Sequence, residues 1–522
     1  MSRASRLALC LGVLFLASPL AQADVKLPAI IGSNMVLQAD MKDAIWGWAD
    51  AGEKVTVAIG DQKVEATAGA AGKWQVRLAA LKAGTGPLAM TVAGKNSLKI
   101  ENILVGEVWI CSGQSNMEMS VKSSNDSDKE IAEAKYPKIR IFMVAKATSA
   151  TPLTDCKGQW VECSPETVPN FSAAGYFFGR MLHKDLGVPV GLIGSNWGGT
   201  PAESWTSREA LEADADLKAI IARFQSQIDN YSKAKEDWEK VKDKKIAEWQ
   251  AAADKAKAEG KQQPRRPEGP RDPASNPNRP SSLYNGMIAP LVPFGIRGAI
   301  WYQGESNAGR PVEYRKLFPA MITDWRKAWG EGDFTFLFVQ LANFMARKPD
   351  PSESGWAALR EAQTMTLSLP KTGMAVIIDI GDATNIHPKN KQDVGKRLAL
   401  AGLATAYGKD VVFSGPMYES MKVEGDKVRL KFKHLGGGLV AKGDKLTGFA
   451  VAGEDKKFVW ADAKIDGDMV VVSAKDVAKP VAVRYAWADN PECNLYTKAD
   501  LPASPFRTDD WPVGEQAPPA KK

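Results

Sequence analysis

The stretch ILVGEVWICSGQSNMEM, residues 103–119, decides how the rest of the chain is read. Ile103 to Trp109 is rich in apolar residues and carries one charge, Glu107, as expected of a buried strand. The end of the stretch breaks that run. Gly113 leaves room for a tight turn, and Gln114 and Asn116 flank the Ser115 hydroxyl with amides. A serine on a sharp turn at the C-terminal end of a parallel strand sits where open α/β sheets place their chemistry. It also has the geometry of a nucleophile. The G-x-S-x-G elbow is half matched: Gly113 supplies the first glycine, and Met117 stands where the second would be.

Toward the N-terminus, residues 24–102 read as a small β-sandwich. Val55, Val57 and Ile59 alternate with smaller or polar residues, Gly60-Asp61 marks a turn, and Lys63 to Thr67 alternates again. Trp74, Val76 and Leu78, then Met90 and Val92, then Leu98 and Ile100 continue the pattern. Residues 1–23 read as a secretory signal, with Arg3 and Arg6 before an apolar run from Leu7 to Leu16 and Ala21-Gln22-Ala23 as the cleavage site. The run is shorter than the ~20 residues a membrane span needs. The expectation is an exported protein, periplasmic or secreted, without a membrane span.

Toward the C-terminus, residues 103–408 have an α/β texture. Apolar strands at 190–194, 298–302, 336–340 and 374–378 alternate with helical segments such as Ala173 to Leu186 and Tyr314 to Trp329. A charged insertion at about 208–280 interrupts them. Leu217, Phe224, Ile228, Tyr231, Trp238, Ile246 and Trp249 recur mostly at helical spacing there, giving an amphipathic helix or helical pair. It ends in a Pro- and Arg-rich loop, 262–280. From residue 409 strands return, at 411–413, 428–432, 449–451, 469–473 and 481–485. A C-terminal β domain is expected, with the segment from Pro491 to Asp510 packing back on the α/β core.

The formal charge is +7, from which the leader removes two arginines, and lysines and acids are interleaved. Neither this pattern nor any motif points to a nucleic-acid partner. Outside the leader lie Cys111, Cys156, Cys163 and Cys493. Cys156 and Cys163 are spaced to clip a hairpin in an oxidising compartment. No cysteine or histidine cluster suggests a metal, and no cofactor is called for.

There are three histidines. His183 lies in a helical pattern and His434 at a strand end in the C-terminal region. His387, in the segment DIGDATNIHP after an apolar strand, falls on the same sheet end as Ser115 and is the candidate base. Asp382 is the candidate acid, with Asp379 or a backbone carbonyl as alternatives. Candidate oxyanion donors are the Ser115 N–H, the loop NWGGT around Gly199, and the side-chain amide of Gln303 in QGESN. Gln114, Asn116, Trp197, Glu305 and Asn307, in the same strand-end loops, are candidate substrate contacts. Trp205, Trp301 and Tyr302 are either sugar-stacking or core residues.

These motifs, in this order, resemble the sialate O-acetylesterase family of SGNH (GDSL-like) hydrolases. The resemblance is carried by GEVW (106–109), SGQSNM (112–117), WGGTPAESW (197–205), YNGMIAPL (284–291), WYQGESN (301–307), NIHP (385–388) and LPASPFRTD (501–509). It implies a flavodoxin-like three-layer α/β hydrolase domain flanked by β-sandwich-like modules. It implies a carboxylic ester hydrolase that removes O-acetyl groups from carbohydrate without a metal, with Ser115 as nucleophile, His387 as base, and Gly199 and Gln303 in the oxyanion loops. SGNH hydrolases often place Asp three residues before His, where this chain has Thr384. The substrate is acetylated sialic acid or an acetylated plant or algal polysaccharide. A glycan-binding protein with a retired hydrolase core is the competing reading. The motifs say nothing of oligomeric state.

Overall fold

The computed structural model describes residues 24–513, apart from 262 and 271; the leader read at 1–23 lies outside the described residues. Its central sheet contains β1 (Ser97–Gly113), β2 (Tyr136–Met143), β3 (Trp160–Cys163), β4 (Val190–Asn196), β5 (Gly298–Tyr302), β6 (Thr335–Val339) and β7 (Thr372–Ala375). The spatial order is β7-β6-β5-β1-β4-β2-β3. Neighbours are parallel throughout, except that β3 returns antiparallel along β2. Strands β5 and β6 are buried along their whole length, as parallel strands covered on both faces must be.

Two helical layers provide that cover. On one face α1 (Ala173–Leu186) and α5 (Lys391–Tyr407) pack over Trp109, Cys111, Ile300 and Leu337. Between them in the chain come α2 (Ala215–Ala258), α3 (Pro311–Trp329) and α4 (Gly355–Met365). Helices α3 and α4 cover the other face, over Ile110, Trp301, Phe336 and Phe338. The sheet residues named for the two faces alternate along the strands, which is the period-two rule of the pleat. Trp301 meets Trp205 and Trp325 edge-on, at centroid distances of 6.0 and 5.9 Å. Each such pair contributes about 0.5–1.5 kcal/mol beyond area burial. Trp205, Trp301 and Tyr302 are all fully buried, so they are core residues and not sugar platforms.

Strand β1 joins the N-terminal β region to the central sheet without a linker. Its first part pairs antiparallel with Leu88–Ala93, and its last part lies between β4 and β5. Residues 102 and 103, where the composition changes, are mid-strand. The short strands read at 55–59, 63–67 and 74–78 are present as Lys54–Ile59, Gln62–Thr67 and Lys73–Arg77.

Most of the charged insertion is one helix, α2, of 44 residues and about 66 Å at 1.5 Å per residue, preceded by a short helix, Arg208–Ala213. Its root is tied to α3 by Arg223, which forks onto Glu313 at 3.0 and 3.1 Å. The Pro- and Arg-rich segment returns along the helix: Trp249 Nε1 donates to the Pro264 carbonyl at 2.8 Å, and Arg266 lies over the Trp249 ring. Among the described residues no helix is long and apolar enough to cross a membrane.

The C-terminal region is built from antiparallel sheets around Val428, Leu430, Phe449, Val470 and Tyr485. Residues 411–413, read as its first strand, are outside any strand; pairing starts with Met417–Glu424. The tail packs back as expected: Arg507 Nε donates to Glu361 Oε1 on α4 at 2.6 Å, and the Ser504 hydroxyl accepts from Gln340 Nε2 at 3.0 Å. The four cysteines among the described residues are free thiols, so the Cys156–Cys163 clip is not made. Burial pushes the Cys156 thiol up to about 12.

Candidate active site

Three parallel strands end at one level. Gly113 of β1 pairs with Asn196 of β4 on one side and with Tyr302 of β5 on the other. The loops carrying Ser115, Trp197 and Gln303 therefore leave the sheet together. Gly113 has φ +139°, and a Cβ there would stand 2.2 Å from the Tyr302 carbonyl oxygen. Only glycine lets the two strand ends stay this close while the chain turns. The turn is then locked. Gln114 N donates to Tyr302 O at 3.0 Å, Trp197 N donates to Gly113 O at 3.1 Å, and Ser115–Glu118 forms one short helical turn.

Ser115 and His387 meet at this end of the sheet. His387 Nε2 lies 2.8 Å from Ser115 Oγ, across 272 positions of sequence, and both residues are half-buried. Burial, and then the nearby charge of Lys391, hold the imidazole below its usual 6.5. It is therefore largely neutral near pH 7, and a neutral imidazole is able to take a proton from the serine. His183 is elsewhere, its Nδ1 2.6 Å from the Val188 carbonyl, and His434 packs edge-on against Phe413.

The candidate acid is corrected. Asp382 is exposed, and its Oδ1 accepts from Thr384 N and Oγ1 (both 2.8 Å) and from Asn385 N (3.2 Å). These bonds hold its carboxyl below the ordinary range and make it the cap of a loop turn. Asp379 is taken up by a two-pronged pair with Arg397, at 2.6 and 2.8 Å, and by the Tyr496 hydroxyl. Among the described residues no hydrogen bond joins either carboxylate to His387. Asp382→Asn is expected to leave kcat/KM within about threefold of the parent, against the roughly 10⁴-fold loss seen when a true triad Asp becomes Asn. A loss of that larger size in steady-state kinetics would restore Asp382 to the triad.

The His387 loop is held by a different network, which the sequence reading missed. Lys391, in the first turn of α5, is completely buried. Its ammonium donates to Asn116 Oδ1 at 2.7 Å and Pro388 O at 2.8 Å, and lies over the Tyr302 ring. Asn116 Nδ2 donates onward to Ile386 O at 3.0 Å and Glu305 Oε1 at 2.6 Å. The residue after the serine thus grips the residue before the histidine. Burial pulls Lys391 down to about 7 and pushes the Glu305 carboxyl above its ordinary value. The one sequence clue to Lys391 is its position four residues after His387. Nothing in its immediate neighbours marks it as buried.

Several predicted contacts face inward instead of toward a substrate. Asn116 is spent on the network just described. Gln114 Oε1 accepts from Gly304 N and Ser306 N at 3.4 and 3.2 Å. Gln303 is fully buried, donating to Asn307 Oδ1 at 2.7 Å and Thr200 O at 3.3 Å while accepting from Tyr314. Its amide is not free for an oxyanion. Asn307 is consumed by Gln303, Ala202 N and Glu203. These side chains brace the strand-end loops.

What remains open near Ser115 is the glycine loop and Trp197. A Cβ at Gly198 would stand 3.2 Å from Ser115 Cβ, so this loop passes directly against the nucleophile turn. Gly198 N is engaged by Glu118 Oε2 at 2.5 Å. Gly199 is exposed, with φ +74°. Trp197 is half-buried, with the Lys146 ammonium 5.2 Å from its ring centroid. A cavity of about 600 Å³ opens beside the turn, lined in part by Glu118, Lys146, Asn196, Met143 and Phe171.

A family model described as "Carbohydrate esterase, sialic acid-specific acetylesterase" matches residues 105–243 and 274–404. The chain belongs to this carbohydrate esterase family. The two matched segments hold Ser115, Trp197, Glu305, His387 and Lys391, and the gap falls on the outer part of α2 and its return. The chain is 32% identical to rat sialate O-acetylesterase over 527 residues, 91% of this chain and 93% of the rat protein. It is 31% identical to the human enzyme over 529 residues, 91% of each chain. A solved carbohydrate acetylesterase from Xanthomonas citri superposes with a TM-score of 0.79 at 38% identity, covering 94% of this chain and all of that one. The protein is thus a carboxylic ester hydrolase of the acetylesterase type, and its family implies an acetylated carbohydrate as substrate. The reading as a retired, purely glycan-binding core is set aside.

Proposed function

We propose that this enzyme is a serine-dependent carbohydrate O-acetylesterase acting through an acetyl-enzyme intermediate. The observation that carries the reading is the 2.8 Å contact between Ser115 Oγ and His387 Nε2 at the end of the parallel sheet. Ser115 attacks the acetyl carbonyl carbon as His387 takes its proton. Charge then develops on the carbonyl oxygen. The backbone N–H of Ser115, at the start of its helical turn, and that of Gly199 in the adjoining loop are the donors this reading assigns to it. As the bond to the sugar oxygen breaks, His387 returns the proton to that oxygen. Water, deprotonated by the same imidazole, then releases acetate and restores the serine.

No carboxylate orients the ring in this reading. The loop does so instead, pinned through Ile386 O, Pro388 O and the bond from His387 N to Asn385 Oδ1 at 2.9 Å. Five of the parallel strands, β1, β4, β5, β6 and β7, number 2-1-3-4-5 across the sheet when counted in chain order, which supports a flavodoxin-like SGNH core. The leader pattern at 1–23 supports export to the periplasm or beyond.

The test is acetate release by the purified enzyme from acetylated sialic acids and from acetylated xyloglucan, xylan and pectin. Release from one class names the substrate. Activity confined to a simple aryl acetate would remove both substrate classes and keep the esterase. The pH dependence follows from His387. The base must be neutral, and its pKa lies below 6.5. The acid limb of kcat/KM is therefore expected to fall away below pH 6.5, with activity lost as pH drops through that limb. In Lys391→Met the limb should move up, since the lysine charge is one of the two causes of the depression. An acid limb at or above 6.5 in the parent enzyme would contradict the assignment of His387 as an unassisted base.

A further inference from the structure

A second cleft lies away from Ser115, in the seam between the hydrolase core and the C-terminal β region. It is a cavity of about 610 Å³, walled by the loop from Arg347 to Ser352 on one side and by residues from Lys445 to Ala461 on the other. The loop leaves the C-terminal end of β6, the same sheet end that carries the catalytic residues. Phe344, just before it, bridges to Asp382 in the His387 loop. The cleft is thus a lateral continuation of the active-site face.

Its aromatic content is unusual for this molecule, whose tryptophans are mostly buried. Trp460 is 47% exposed and lines the cleft. The ring is held in place: Trp460 Nε1 donates to the Pro349 carbonyl across the seam at 2.7 Å. Trp487 forms part of the wall. It is 93% buried, and among the described residues its indole N–H has no hydrogen-bond partner.

The cations on the rim are each paired with an acid, and Asp350 adds a further carboxylate to the lining. Arg347 pairs with Glu492 at 3.1 Å, Lys348 with Asp489 at 3.8 Å, and Lys445 with Asp462 at 2.7 Å. No cation is held in reserve there for an anionic ligand. An exposed indole whose ring is held in place, and a rim whose cations are all paired, suit a ligand with apolar C–H faces and neutral hydroxyls.

We propose that this cleft is a second carbohydrate-binding site, taking neutral sugar residues of a polysaccharide chain and holding the polymer beside the Ser115 centre. Nothing in the site requires the acetyl group.

The test is affinity electrophoresis of the full chain through gels containing deacetylated xyloglucan, deacetylated xylan or polygalacturonate. Deacetylated polymers carry no ester, so binding is read apart from esterase chemistry, and aryl acetate turnover reports that chemistry separately. At least one neutral polymer should retard the parent protein, and polygalacturonate should not. Trp460→Ala should bind about five- to tenfold more weakly, the effect of losing one aromatic face, with aryl acetate turnover unchanged. Ser352→Trp, which fills the cleft from an exposed loop position, should give the same loss and stands in if Trp460→Ala fails to fold. Absence of retardation by both neutral polymers, equal retardation of parent and variants, or preference for polygalacturonate would each overturn the proposal.

Discussion

Ser115→Ala is expected to lower kcat/KM for acetate release by about 10³-fold or more, with the thermal midpoint unchanged. The size follows from the chemistry. The variant removes the atom that forms the acetyl-enzyme, leaving only the backbone donors and substrate positioning. The unchanged stability follows from the structure. The Ser115 side chain is half-buried, and the only hydrogen bond its hydroxyl makes among the described residues is to His387. The helical turn is held by main-chain bonds from Met117, Glu118 and Met119, which alanine keeps. Acetate release measured against a melting curve of the same preparation separates the two effects. Turnover within about tenfold of the parent would remove Ser115 as nucleophile. Loss of turnover together with a collapsed melting curve would mean that the serine is structural. His387→Ala should show a comparable loss, and the double variant little more than either alone, because the two act as a unit.

Arg360→Ala is expected to destabilise the fold by about 3–5 kcal/mol. Arg360 is completely buried on α4. Its guanidinium donates to four carbonyls: Leu341 O and Ala342 O at the end of β6, at 2.8 and 2.7 Å, and Ala488 O and Asp489 O in the C-terminal region, at 2.7 and 2.9 Å. One side chain thus fastens the C-terminal β region to the catalytic layer. Alanine would leave Leu341 O and Ala488 O without a donor, Ala342 O keeping only Trp356 Nε1 and Asp489 O only Phe344 N, and would open a cavity the size of the lost side chain. Lysine would retain the charge but not the fork, so Arg360→Lys should fall between the two. Denaturant unfolding gives the comparison directly. A change under 1 kcal/mol for Arg360→Ala would mean that water replaces the guanidinium at this seam. The effect should also reach activity. Asn343, just beyond this junction, accepts from Gly381 N at 2.7 Å, in the segment that leads to His387.

The reaction-bearing pair was legible in the sequence for local reasons. Ser115 follows a long apolar run and a glycine, and His387 follows another apolar strand, so both fall at strand ends. With three histidines in the chain, little competition remained. The core tryptophans were harder. Trp197 and Trp301 each border a glycine-bearing loop after a strand, yet one is half-buried at the site and the other is fully buried beneath it. Which of them faces outward depends on the α3 helix, where Phe318 and Trp325 pack against Trp301 from residues remote in sequence.

The amides show the same limit more sharply. Gln303 and Asn307 are hydrogen-bonding side chains in a strand-end loop, which is all that sequence offers. Burial against Tyr314, Thr200 and Glu203 turned them into braces. Asp382 lies five residues before His387, but its carboxylate is satisfied by the turn it caps.

The sequence by itself determined the alternation of strands and helices, the placement of Ser115 and His387 on one sheet end, and the membership that its motifs announced. Those properties rest on short-range patterns: hydrophobic periodicity, turn residues and spacing. Tertiary structure alone decided that the imidazole loop is clamped by Lys391 and Asn116 and not by an acid, that β1 runs unbroken out of the N-terminal region, and that Trp460 and Trp487 share a cleft with the catalytic layer. Each of these depends on contacts between residues far apart in the chain. The partner of a buried polar group is chosen by what packs against it, and no local pattern records that.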